Sequence, residues 1–138
     1  MMMAQVSEQQ ARQLVAQYQD YQRNAEMIQD QMNMVRNTLA GCESTLRTVT
    51  GLKEAATNDV ESIIPVGSGC FVHAEIKNFS KVIVSVGSGA NIEKDVAGAL
   101  EFLNDRKGKL EKMLQDLNTS LTNIVQQMQS IEAVLNQK

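Results

Sequence analysis

From Ala11 onward the apolar residues return every seven positions in two interleaved series. One runs Ala11, Tyr18, Ala25, Met32, Leu39 and Leu46; the other runs Leu14, Tyr21, Ile28, Val35, Cys42 and Val49. Taken as heptad positions a and d, they fill every seam slot over about six heptads, and most residues between them are polar. A strict seven-residue repeat keeps a narrow apolar stripe turned toward one partner helix, so this stretch predicts a coiled-coil helix. Some 45–50 helical residues would extend roughly 70 Å. Gly41 lies inside the stretch and costs about 1 kcal/mol relative to Ala, yet the register passes through it unbroken. The pattern weakens at Thr50-Gly51, and Thr57-Asn58-Asp59 reads as a turn.

A second seam occupies the other end of the chain. It runs Val96, Leu100, Leu103, Lys107, Leu110, Leu114, Leu117, Leu121, Ile124, Met128, Ile131 and Leu135, with Lys107 its only interruption and Gly98 and Gly108 tolerated within it. Asn91 is a suitable N-cap, and Glu93 and Asp95 put negative charge in the first turn, where the helix dipole favours it. Two helices of similar length joined by a short middle should fold back into an antiparallel pair. Setting Asn58 opposite Glu93 places Leu14 near Gln137 and Val49 near Phe102, with residues before about Gln13 overhanging. Both termini then lie roughly 60–70 Å from the middle segment.

That middle segment has a different grammar. Val-Gly-Ser-Gly occurs at Val66–Gly69 and again at Val86–Gly89, each time after a run rich in Val and Ile. This predicts two strand-turn-strand units, the glycines supplying the positive φ that tight turns need. Pro65 has no N–H to donate and suits a strand end or edge. Val72, Ala74 and Ile76 alternate onto one face, with Phe71, His73 and Glu75 on the other; Val82, Val84 and Val86 again share a face. Lys77-Asn78-Phe79-Ser80 reads as a loop, and a short fourth strand is expected around Asn91-Ile92. Four short strands with one apolar face cannot bury it alone, and their open edges invite pairing. The predicted role of the segment is oligomerisation.

Several function classes lack the residues they need. The chain of 138 residues has one Pro, no Trp, three Phe and two Tyr, too few large aromatics for a compact core. The net charge of -3, with both signs mixed throughout, leaves no basic stripe for nucleic acid. No apolar run approaches the roughly 20 residues that cross a membrane, and the N-terminus has no signal-peptide pattern. Cys42 and Cys70 match no redox or ligand spacing, which fits a reducing, intracellular setting. His73 is the single histidine, so neither a metal centre nor a catalytic triad can be assembled. Gly87-Ser88-Gly89 is followed by no Lys-Ser/Thr and is better read as a hairpin turn than a phosphate loop. The expectation is no enzyme, no cofactor and no metal.

The free end of the coiled coil carries extra apolar groups. Val15, Val125 and Val134 flank the seam at e and g positions, and Val6 lies on the overhang. One reading is a wider, better-packed seam. The other is an apolar grip for a partner, formed with Leu14, Ile124, Met128, Ile131 and Leu135, since exposed apolar patches mark interaction sites.

Helix, two hairpins marked by Ile64–Gly69 and Val86–Ala90, then helix: this layout resembles the alpha-type subunit of the prefoldin family. The run from Ser85 to Lys94 is similar to that family's passage from second hairpin to C-terminal helix, and two hairpins rather than one point to the alpha type. The resemblance implies a cytoplasmic, ATP-independent chaperone. Two alpha and four beta subunits would join through β-barrels, hold unfolded or nascent polypeptides at the coiled-coil tips and pass them to a group II chaperonin. The expected class is α with a small β part: an antiparallel coiled coil from residues 1–58 and 93–138, joined by hairpins in residues 59–92 that assemble into an intersubunit β-barrel. A scaffold holding a fixed native partner is the alternative.

Overall fold

The computed structural model describes residues 7–54, 60–77 and 79–136. In chain order the elements are α1 (Glu8–Glu54), β1 (Val60–Gly67), β2 (Cys70–Ile76), β3 (Lys81–Gly87), β4 (Ala90–Asp95) and α2 (Val96–Leu135). They form two compact units, one from Met1–Leu39 with Leu110–Lys138 and one from Ala40–Lys109. In the first unit helix pairing joins the start of the chain to its end. The turn expected at Thr57-Asn58-Asp59 lies outside the described residues.

In the first unit α1 starts at a reciprocal cap. Ser7 Oγ accepts from the Gln10 N–H at 3.1 Å, and Gln10 Oε1 accepts from the Ser7 N–H at 3.1 Å. Two of the N–H groups that a helix start leaves unpaired are thereby satisfied. The expected seam is the covered stripe: Met32, Val35 and Ile131 are buried, and Ala11, Leu14, Tyr18, Tyr21, Ala25, Ile28 and Leu39 are half-buried between exposed polar neighbours. Tyr18 donates its hydroxyl to Glu132 Oε1 at 2.6 Å. The sequence register sets Tyr18 opposite Ala133, one residue away.

In the second unit the seam residues Cys42, Val49 and Leu103 are buried, and so is Ala99, which lies outside the expected seam. Cys42 Sγ donates to the Leu103 carbonyl at 3.4 Å. A helical carbonyl points toward the residue four further on, so Cys42 stands level with the turn of Lys107. Lys107 is half-buried, and around it the packing opens into a groove of about 390 Å³ lined by Glu43, Leu46, Arg47, Thr50, Leu100 and Asn104.

The two hairpins are antiparallel, β1 with β2 and β3 with β4, in separate two-stranded sheets. Their turns are near-copies. Gly67, Ser68 and Gly69 have φ of 116, 51 and 76°, and Gly87, Ser88 and Gly89 have 103, 52 and 75°. Gly67 pairs with Cys70 and Gly87 with Ala90, so the serine and the second glycine are the central residues of a two-residue turn with both φ positive. The register shifts between Pro65 and Gly67 and between Ser85 and Gly87, which makes Val66 and Val86 the extra residues of two β-bulges. The repeated tetrapeptide therefore encodes bulge plus turn.

The helix start expected at Glu93 with Asn91 as cap is corrected. β4 runs on to Asp95, with Glu93 paired to Ile83 and Lys94 to Val82. Ladder pairing with the β-branched strand β3 outweighs the weak helix signal of these residues. Asp95 is the cap: its Oδ1 accepts from the Gly98 N–H at 2.7 Å. Gly98 is more than tolerated, since a Cβ there would lie 2.8 Å from that oxygen.

Candidate functional site

The hairpins present apolar side chains that their own chain leaves uncovered. On the first, Val60, Ser62, Ile64, Val72, Ala74 and Ile76 share one face through their cross-strand pairs; Glu61, Ile63, Pro65, Phe71, His73 and Glu75 share the other. Val72 is exposed and Ala74 and Ile76 are half-buried. On the second, Val82 is half-buried, Val84 is buried at 8% exposure, and Val86 stands exposed in its bulge. Val84 thus already belongs to the chain's own core. Other large groups are also free: Phe71 is 62% and Ile83 72% exposed, and Ile63, Ile64, Val66 and Ile92 are open as well. Phe71 and Ile83 lie outside the faces expected from sequence, which took a single apolar face per hairpin. Burying each such side chain would contribute about 1.5–3 kcal/mol. Every strand is also an edge, with unpaired backbone groups along one side.

One clamp holds the second hairpin. The Arg106 guanidinium lies 4.9 Å from the Phe102 ring centroid and donates to the Ser85 carbonyl at 3.5 Å. The i,i+4 spacing of Phe102 and Arg106 was the available sequence signal.

In the first unit the seam residues expected as an apolar grip are distributed unevenly. Ile131 is buried at 7% exposure; Leu14, Ile124, Met128, Val134 and Leu135 are half-buried; Val15 and Val125 are exposed. Val6 lies outside the described residues. By the register of Tyr18 with Glu132, Val125 stands level with about Ala25, roughly 15 Å along the helix from Val15. The unit therefore spreads these groups along its length. The hydrogen bond to Glu132 raises the Tyr18 phenol above its usual value, with desolvation and the carboxylate's charge acting in the same sense.

Of the remaining candidates, His73 is exposed and pairs with Ile63, and Cys42 and Cys70 are free thiols, one buried and one exposed. Among the described residues no group of His, Cys, Asp or Glu could hold a metal ion, and no helix is long and apolar enough to cross a membrane.

Residues 5–138 match the family model described as prefoldin subunit. The chain belongs to the prefoldin family. It is 43% identical to the prefoldin subunit alpha of Methanosarcina mazei, over 94% of this chain and 92% of that one. With the prefoldin subunit alpha of Methanococcoides burtonii it shares 38% identity over 99% and 98% of the two chains. Its fold matches a chain of a filamentous PFD from Methanocaldococcus jannaschii, solved by cryo-EM, with TM-score 0.73 and 23% identity over 86% of this chain and 97% of that one. Two long helices joined by two hairpins are thus a prefoldin fold, and the role is that of a prefoldin chaperone subunit.

Proposed function

We propose that the chain is an ATP-independent chaperone subunit. Its hairpins join a second copy and beta-type prefoldin subunits in an alpha2-beta4 hexamer. The far end of its coiled coil holds unfolded or nascent polypeptides and passes them to a group II chaperonin in the cytoplasm. The observation that carries this reading is the full-length match to prefoldin alpha subunits, and the uncovered hairpin residues fit it. No chemical step is assigned to any residue. The client-holding set comprises Val6, Leu14, Val15, Ile124, Val125, Met128, Val134 and Leu135, with Ile131 buried in the seam beneath them. Weak apolar grips from several subunits would act together, so avidity takes the place of a deep pocket. The fixed-partner scaffold is not favoured by these relatives.

Burial decides which variants test the grip. Ile131→Ser would unpack the seam, whereas Val15→Ser and Val125→Ser change exposed groups. The complex carrying both exposed changes and lacking about the first dozen residues should elute intact on size-exclusion chromatography. It should protect a chemically denatured client from aggregation several-fold less well than the parent. Equal protection by both complexes would remove the grip assignment. A parent complex with no protective effect would remove the chaperone reading itself.

A further inference from the structure

The two hairpins are one design written twice, so each serves as a control for the other. Gly67, Ser68 and Gly69 repeat as Gly87, Ser88 and Gly89, and the rung Ile64–Val72 repeats as Val84–Ile92. Their settings differ. β4 ends at Asp95 and α2 begins at Val96 with no residue between, and the Gly98 N–H donates to Asp95 across that junction. Residues 55–59 stand between α1 and β1, and residues 77–80 between the two hairpins. Val84 is 8% exposed, whereas its counterpart Ile64 is 44% exposed. The rung partners Val72 and Ile92 are both open, so the difference lies on β3 and not on β4. β3 is also where Arg106 takes hold, through the carbonyl of Ser85 next to Val84. The counterpart carbonyl in the first hairpin, that of Pro65, receives no side-chain donor. Among the described residues no side-chain hydrogen bond, ion pair or ring contact ties β1 or β2 to either helix.

A two-stranded hairpin is marginal by itself in water and takes its stability from what it packs on. A guanidinium is suited to hold one because it is planar. It stacks on the Phe102 ring while an N–H at its edge donates to Ser85. Phe102 and Arg106 lie on successive turns of α2, which gives the clamp a rigid footing. We propose that Arg106 is a positioning residue: it presets the second hairpin on α2 as the ready half of the assembly surface, while the first hairpin, which has no clamp, settles only when the chain joins its fellow subunits. The proposal rests on the subunit reading above and adds an order of events to it. A preset surface has less freedom to lose and less rearrangement to make on association, so the clamp acts through the rate of assembly.

Hydrogen–deuterium exchange with mass spectrometry, on the full chain alone and in complex with beta-type prefoldin subunits, reads both hairpins at once. In the chain alone, amides of β3 and β4 should exchange about tenfold more slowly than those of β1 and β2, and assembly should slow β1 and β2 by the larger factor. Arg106 is exposed, so replacing it leaves the seam packed. Arg106→Ala should speed exchange in β3 and β4 several-fold, leave β1, β2 and α2 unchanged, and slow association with beta-type subunits several-fold. Arg106→Lys should behave as Arg106→Ala does, because an ammonium keeps the charge but cannot stack and donate from one plane. Full function with lysine would show that charge alone suffices and would overturn the clamp. Equal exchange in the two hairpins of the parent chain, or an association rate unmoved by Arg106→Ala, would overturn the preset hairpin. A parent chain that does not assemble with beta-type subunits would instead remove the hexamer reading, and exchange in the isolated chain would still decide whether the second hairpin is preset.

Discussion

Tyr18 and Glu132 form a hydrogen bond between residues 114 apart in sequence. The neutral phenol donates to the carboxylate, and its raised pKa means that the folded state holds this proton more tightly than the unfolded chain does. Such a contribution is present below the ordinary phenol value near 10 and is lost as pH rises through the higher folded value. Beyond it, phenolate and carboxylate repel. The parent chain should therefore be more stable than Tyr18→Phe in denaturant titrations at pH 7, and the difference should shrink to nothing or reverse as pH rises through the raised phenol value. No difference between the two at any pH would show that ring packing, not the hydroxyl, is what Tyr18 contributes. The heptad pattern placed Tyr18 in the seam. Its hydroxyl partner needed the facing register, which the sequence located to within one residue.

At the scale of elements, each hairpin turn holds a serine at positive φ, where a β-carbon meets steric resistance of roughly 1–2 kcal/mol. Asparagine tolerates this region better and is the favoured first residue of a two-residue turn of this type. Ser68→Asn and Ser88→Asn should each stabilise the chain by about 0.5–1 kcal/mol, read as a higher midpoint in thermal melts. A lower midpoint for both would mean that the serines make a contact which outweighs their strain. The turns were legible because Val-Gly-Ser-Gly repeats and few conformations suit it. The boundary after β4 was not: Asn91, Glu93 and Asp95 all look like helix-start residues, and only pairing with β3 selects Asp95 as the cap. The cap on α1 was readable in Ser7-x-x-Gln10 but is hidden among many other glutamines.

For the whole molecule, the hairpins leave large apolar side chains such as Phe71 and Ile83 exposed. Among the described residues the buried apolar set is short, and no large side chain is wholly enclosed. Phe71→Asp and Ile83→Asp should therefore split the complex into smaller species, seen by light scattering after size-exclusion chromatography, with far-UV helicity unchanged. A complex of undiminished mass would show that these faces are not subunit contacts. Val84→Asp, by contrast, should damage the second hairpin itself, because that side chain is already inside. What the sequence determined by itself was periodic or local: both seams, both turns, and the antiparallel register that follows from two helices of similar length joined by a short link. What only the tertiary structure decided was the use of each apolar residue. Val84 and Ile131 are spent inward, while Phe71, Ile83 and Met34 are left outward. Alternation and heptads say which residues share a face; they do not say which face another element covers, because coverage depends on contacts between residues distant along the chain.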